Sequence, residues 1–192
     1  MRTIEAGASA LLMVDLQARL MPAIADHEAV LREAKRLRDA AALCGVPVLF
    51  TEQNPGRLGG TVPELMPDAT PDATPAPLLA SAPVAPVLPK MCFDAARDPG
   101  FDAALPDRLT VLLAGVEAHV CVLQTALSLV DRGRRVAVVE DAVGSRAPGS
   151  KAAALRRMER HGVEIVTAEM AVFEWLGSAE HPRFREAMAL VK

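Results

Sequence analysis

Asp15 follows an apolar run, LLMV at 11–14, and precedes Leu16 and Gln17. An acid there would sit at the carboxyl edge of a sheet, where open α/β folds bind ligands. The position also suits a turn or helix-cap carboxylate, so the aspartate alone decides nothing. Cys121 lies six residues past Gly115 and opens a helical stretch, where backbone amides and the positive end of the helix dipole would favour a thiolate. Lys90 closes a third β-like run, and its long stem could reach Asp15 across the sheet edge. These residue types permit a reactive thiol beside a charged pair; a surface lysine and a small buried cysteine are the plain alternatives.

The other polar candidates carry less. His119 stands two residues before Cys121, but on a helix the two point to different faces, which argues against a Cys/His dyad. His27, His161 and His181 fall in polar helical or terminal contexts. Cys44 reads as a small hydrophobe at a helix end and Cys92 as core or pocket lining. No GxGxxG or GxxxxGK follows a strand, so hydride transfer and nucleotide hydrolysis lose their fingerprints.

Six β-like runs must position these groups: 10–14, 46–50, 84–88, 111–114, 135–139 and 163–166. Between the first two, Val30, Ala34, Leu37 and Ala41 mark one face of a helix that stops at Gly45. Val120, Leu123, Leu127 and Val130 mark another, closed by Gly133. A third starts at Ser145 and Pro148, carries Ala152, Leu155 and Met158, and ends near His161 and Gly162. The tail over 169–191 is largely helical in pattern. This alternation predicts an α/β fold, a three-layer doubly wound sandwich on a six-stranded parallel sheet. With strand order 3-2-1-4-5-6, strands one and four meet at the topological switch point and bring Asp15 and Cys121 to one crevice.

The segment 63–89 interrupts the pattern with eight of the fifteen prolines and reads as a surface excursion around strand three. It is too short for a separate domain, so the chain is expected to form a single domain over 1–192. A net charge of -3 and an aromatic content of 3% argue against nucleic acid as a partner. No apolar stretch approaches the roughly 18 residues of a membrane span, and the N-terminus lacks a leader pattern, so a soluble, cytoplasmic protein is expected. Three cysteines without metal-type spacing fit free thiols in a reducing compartment.

Four motifs, LMVDLQ at 12–17, TEQNP at 51–55, PKMCF at 89–93 and AGVEAHVCV at 114–122, resemble the isochorismatase-like cysteine hydrolase superfamily and occur in its order. LGGTVPE at 58–64 and the GlyValGlu form of the cysteine motif are most similar to the isochorismatase-domain-containing hydrolases. The resemblance spans most of the chain. It implies a triad in which Asp15 takes the thiol proton of Cys121, Lys90 holds Asp15, and the thiolate attacks a carbonyl carbon to form a thioester-type intermediate. It further implies a cis peptide between Val116 and Glu117, which turns the amides of Glu117 and Cys121 toward an oxyanion. Gln17, Gln53 and Phe93 are the substrate-binding positions it implies, and a homo-oligomer acting on a small-molecule substrate is the expected assembly.

Two departures from the family pattern bear on specificity. Metal-binding relatives carry Asp and His after strand two; here Glu52, Gln53 and Asn54 stand there, so neither a metal nor another cofactor is expected. Many relatives have Ser where this chain has Asp94. Two other readings stay open: vinyl ether hydrolysis as in true isochorismatases, which usually lack the cysteine, and a non-catalytic thiol protein that responds to oxidants. Bulky apolar residues near the chain end, Val172, Phe173, Trp175 and Leu176, are the candidates for subunit contact.

Overall fold

The computed structural model describes residues 3–66 and 85–191. Six parallel strands, β1 (Ser9–Val14), β2 (Val48–Gln53), β3 (Val87–Lys90), β4 (Thr110–Val116), β5 (Arg135–Gly144) and β6 (Glu164–Val166), form one sheet in the order β3-β2-β1-β4-β5-β6. Strand β1 is buried along its whole length, as a central parallel strand must be, and its alternate residues feed two cores. Leu11 and Met13 join the layer built by α1 (His27–Cys44) and the later helix Ala168–Leu176, with Leu37, Val172 and Trp175. Ala10, Leu12 and Val14 join the layer of the helices Leu123–Asp131 and Pro148–Arg160, with Ala126, Leu129 and Met158. The sheet is therefore doubly wound, with helices on both faces.

Short helices α2 (Pro55–Leu58) and α3 (Phe101–Ala104) follow β2 and β3 and precede α4 (Leu123–Asp131) and α5 (Pro148–Arg160). The expected stop at Gly45 is a left-handed cap whose amide donates to the carbonyls of Ala41 and Ala42. Pro148 occupies the first turn of α5. The tail is two helices, α6 (Ala168–Leu176) and α7 (Phe184–Val191), separated after the left-handed Gly177.

Where strand ends differ from the sequence reading, the cause is polar residues continuing a strand. Strand β2 runs on through Thr51, Glu52 and Gln53, because these side chains find partners at the sheet edge. Strand β5 extends to Gly144 past Glu140 and Asp141, with Asp141 accepting from the Ala168 amide at the start of α6. Strand β3 begins at Val87; its Pro89 is tolerated because β3 is an edge strand. Most of the expected proline-rich excursion, 67–84, and the first residue of the expected third strand lie outside the described residues.

The close approach of β1 and β4 at the switch point depends on Gly115. Its φ is +125°, and a Cβ there would lie 2.0 Å from the Val14 carbonyl oxygen. Gly115→Ala combines left-handed strain with a backbone clash beside Asp15, so it is expected to cost about 4 kcal/mol or more of stability. Urea denaturation would show this as a lowered midpoint, and a wild-type midpoint would contradict it.

Candidate active site

Asp15 leaves β1 in the left-handed conformation (φ 52°), a region aspartate visits more readily than most residues. Its amide donates to the Thr51 carbonyl, and the Gln17 amide donates back to its own carbonyl, so a tight turn aims the carboxylate inward. The side chain is fully buried. Oδ1 accepts from the Thr51 hydroxyl at 2.7 Å and Oδ2 from Lys90 Nζ at 2.8 Å. Lys90 Nζ also donates to Gln53 Oε1 at 2.8 Å and to the Cys92 carbonyl at 3.3 Å. An ammonium has three N–H groups, and each has an acceptor here. Such saturation is what a buried charge requires.

Cys121 completes the cluster from the other side of the switch point. It sits in one turn of π-helix, Ala118–Val122, that connects β4 to α4, and it is 6% exposed. Single π turns inserted before α-helices recur at functional sites, because the wider turn re-aims a side chain. Burial pushes the thiol up to about 12; Asp15 adds to the rise by charge and hydrogen bond, and Lys90 opposes it. Where the sequence leads one to expect a thiolate favoured by a helix start, Cys121 lies in the π turn ahead of α4, and burial together with a facing carboxylate raises its thiol pKa.

The peptide between Val116 and Glu117 is cis. The Glu117 carboxylate is buried and accepts from the Arg146 amide at 2.9 Å and from Arg146 Nε at 3.1 Å, which ties the π turn to the loop after β5. His119 Nδ1 lies 3.0 Å from Ser145 Oγ and 4.0 Å from Glu117 Oε2, so its ring serves that same junction.

The structure separates the three expected substrate contacts. Phe93 is 53% exposed and free to meet a ligand. Gln17 is fully buried; its Nε2 donates to the carbonyls of Gln53 and Gly59, and its Oε1 accepts from the Gln53 amide. Gln53 spends its side chain on Lys90 and on the Met91 carbonyl at 2.8 Å. Both glutamines therefore hold the framework, because each amide already has its partners inside the protein. Thr51 joins the cluster with little sequence signal, a hydroxyl in the TEQ motif one strand-face step from Gln53.

Asp94 spends its carboxylate on its own turn. It caps the turn Ala95–Arg97 by accepting from the Ala96 amide at 3.0 Å and pairs with Arg97 at 3.3 Å. The Ala95 amide donates to Thr125 Oγ1 on α4, so the segment after Lys90 is pinned to the helix that follows Cys121. A cleft of about 290 Å³ opens here, lined by Pro55, Pro89, Lys90, Met91, Cys92 and Asp98. A larger cleft of about 420 Å³, beside α1 and the start of α5, is lined by none of Asp15, Lys90 and Cys121. Of the two, only the smaller is lined by a member of the buried titratable cluster, Lys90.

The model of the isochorismatase domain matches residues 9–170. The chain belongs to the isochorismatase family. Human isochorismatase domain-containing protein 2 is 37% identical over 97% of this chain and 84% of its own length. The MAR1 ribonuclease of Caenorhabditis elegans superposes with a TM-score of 0.84 at 34% identity, covering 98% of this chain and 92% of the nematode chain. The YcaC gene product of Escherichia coli, an octameric hydrolase of unknown specificity, shares the fold with a TM-score of 0.79 at 23% identity, covering 98% of this chain and 96% of its own. Against this isochorismatase-family frame, Val172, Trp175 and Leu176 are corrected as candidates for subunit contact. They are buried in the chain's own core, and on α6 only Met170 and Phe173 are exposed large apolar residues. No helix among the described residues is long and apolar enough to cross a membrane.

Proposed function

We propose that this chain, as one hydrolase domain over 1–192, is a cysteine-dependent hydrolase of a small amide, carbamoyl compound or ester. The observation that carries the reading is a buried Cys121 beside a buried Asp15–Lys90 ion pair at the switch point of the sheet, where burial and the carboxylate push the thiol pKa up. A thiol this weakly acidic attacks only if a base removes its proton during the step, and Asp15 is the carboxylate in place to do so. The S–H proton passes to Asp15 as the C–S bond forms, and the carbonyl electron pair moves to oxygen. Amides of Glu117 and Cys121 are the proposed donors to that oxyanion. Collapse breaks the C–N or C–O bond, and the leaving group takes the proton from Asp15. Water then gives a proton to Asp15 and attacks the thioester; the C–S bond breaks, and the proton returns to sulfur as the acid departs. Lys90, with its three donors engaged, keeps the pair oriented and neutral overall.

Phe93 is the proposed apolar contact for the substrate. Met170 and Phe173 on α6 are the proposed apolar contacts of a homo-oligomer, as the octameric bacterial neighbour encourages. The name of the nematode relative raises ribonuclease activity; a net charge of -3 disfavours a polyanionic substrate, so RNA serves as a control substrate. The oxidant-responsive reading needs an exposed thiol of low pKa, and Cys121 has neither property.

Two rates measured on Asp15→Asn test the coupling. Because Asp15 raises the thiol pKa and Lys90 lowers it, removing the carboxylate charge is expected to lower the pKa from about 12. Iodoacetamide labelling of Cys121, located by peptide mapping, should then move to lower pH, while acetyl transfer from p-nitrophenyl acetate to Cys121 should fall for want of a base. In the wild type, labelling should climb about tenfold per pH unit from pH ~8 without levelling before about 12. Rates that move together, or do not move, would reject the base role of Asp15.

A further inference from the structure

Strand β2 lies between the strand that delivers Asp15 and the strand that delivers Lys90. With strands about 4.8 Å apart, the lysine must cross roughly 10 Å to reach the carboxylate. It passes over the end of β2, where Thr51 and Gln53, two residues apart on one strand face, meet the two charged groups. Thr51 is level with Val14, the residue before Asp15, and Gln53 is level with Lys90.

We propose that Thr51 and Gln53 are positioning residues for the Asp15–Lys90 pair, a proposal that rests on the catalytic reading above. A carboxylate held only by an ammonium can still turn about its own axis. The Thr51 hydroxyl on Oδ1 removes that freedom, because the two oxygens are then held by two donors from different strands. The carboxylate plane is fixed, and lone pairs remain for the Cys121 proton. Gln53 performs the same service for the ammonium. Its Oε1 accepts from Lys90 Nζ, and it cannot swing away because its Nε2 donates to the Met91 carbonyl while its backbone amide donates to Gln17 Oε1. This chain of bonds runs from the turn after β1, through the end of β2, to the turn after β3. Thr51 is fully buried and Gln53 nearly so, so removing either partner leaves a buried polar group to be satisfied from within the protein.

The test uses the full chain with p-nitrophenyl acetate as probe, reading p-nitrophenolate release and the acetyl adduct on Cys121. Thr51→Val keeps the shape and removes the hydroxyl; Thr51→Ser keeps the hydroxyl and removes the methyl. Since small misplacement of reacting groups costs up to about 100-fold, Thr51→Val is expected to lower kcat about 10- to 100-fold with KM within about twofold. Thr51→Ser should stay within about threefold of wild type. Gln53→Met should lower kcat in the same range. Circular dichroism checks that each variant is folded, and if Thr51→Val does not fold, Gln53→Met against Gln53→Glu, which restores an acceptor for Lys90, carries the test. Equal losses in Val and Ser, a loss confined to KM, or no loss in Gln53→Met would overturn the positioning role. Cys121→Ala separates the two layers: acetyl transfer that survives it removes the catalytic reading and this proposal together. Transfer that dies with Cys121→Ala but persists at the wild-type rate in Thr51→Val removes this proposal alone.

Discussion

Cys121→Ala is expected to lower turnover of the substrate by about 10⁴-fold or more while leaving the fold intact. The magnitude follows from losing the covalent route, roughly 5 kcal/mol of transition-state stabilisation at about 1.4 kcal/mol per tenfold. Removing one buried sulfur costs little by comparison, on the order of 1 kcal/mol of stability. Asp15→Asn should lower turnover by about 10³-fold or more, because the neutral thiol then has no base. The two losses should not add, since base and nucleophile act as a unit. Steady-state kinetics on an amide and ester panel, with circular dichroism as the folding control, is the measurement. Isochorismate belongs in the same panel. Vinyl ether cleavage that survives Cys121→Ala would replace the thiol mechanism with the alternative reading.

The second large effect concerns stability. Lys90→Met removes one partner of an ion pair whose side chains are both fully buried, and it leaves the buried Asp15 carboxylate with the Thr51 hydroxyl but without its counter-charge. Breaking such a pair from one side costs about 3–5 kcal/mol, since the remaining charge has lost its water and its partner. Gln53 Oε1 and the Cys92 carbonyl lose their donor as well. Asp15→Asn/Lys90→Met removes both charges and is expected to recover most of the loss, because desolvating two ions is itself expensive. Denaturant midpoints for the two single variants and the double variant close the cycle. Additive losses would mean that the two residues act independently and that the pair is not coupled as drawn.

A bonded pair that costs more to break than to replace is a poor stabiliser, which bears on why it is there. The pair makes physical sense as the means of holding a carboxylate dry and aimed beside a thiol.

The direction of the strands was legible from the chain, because apolar runs alternating with helical faces leave a parallel sheet with right-handed crossovers as the natural solution. Their order, which puts β1 beside β4, is not fixed by periodicity and entered as one of the known doubly wound orders, the one that the family resemblance also implies. Gly45 and Pro148 marked helix ends for reasons confined to a few bonds. Asp15, Lys90 and Cys121 could be named from motif order alone. What only the tertiary structure decided is the state and partnership of those groups. The Cys121 thiol is neutral because burial and a facing carboxylate raise its pKa, and neither is a property of neighbours in sequence. Gln17 turns inward to bond the backbone of Gln53 and Gly59, Gln53 accepts from a lysine on another strand, and Asp94 is spent on its own turn. Val172, Trp175 and Leu176 fill the chain's own core. Local pattern sets which elements form, whereas desolvation and hydrogen-bond pairing depend on what the fold brings within a few ångströms.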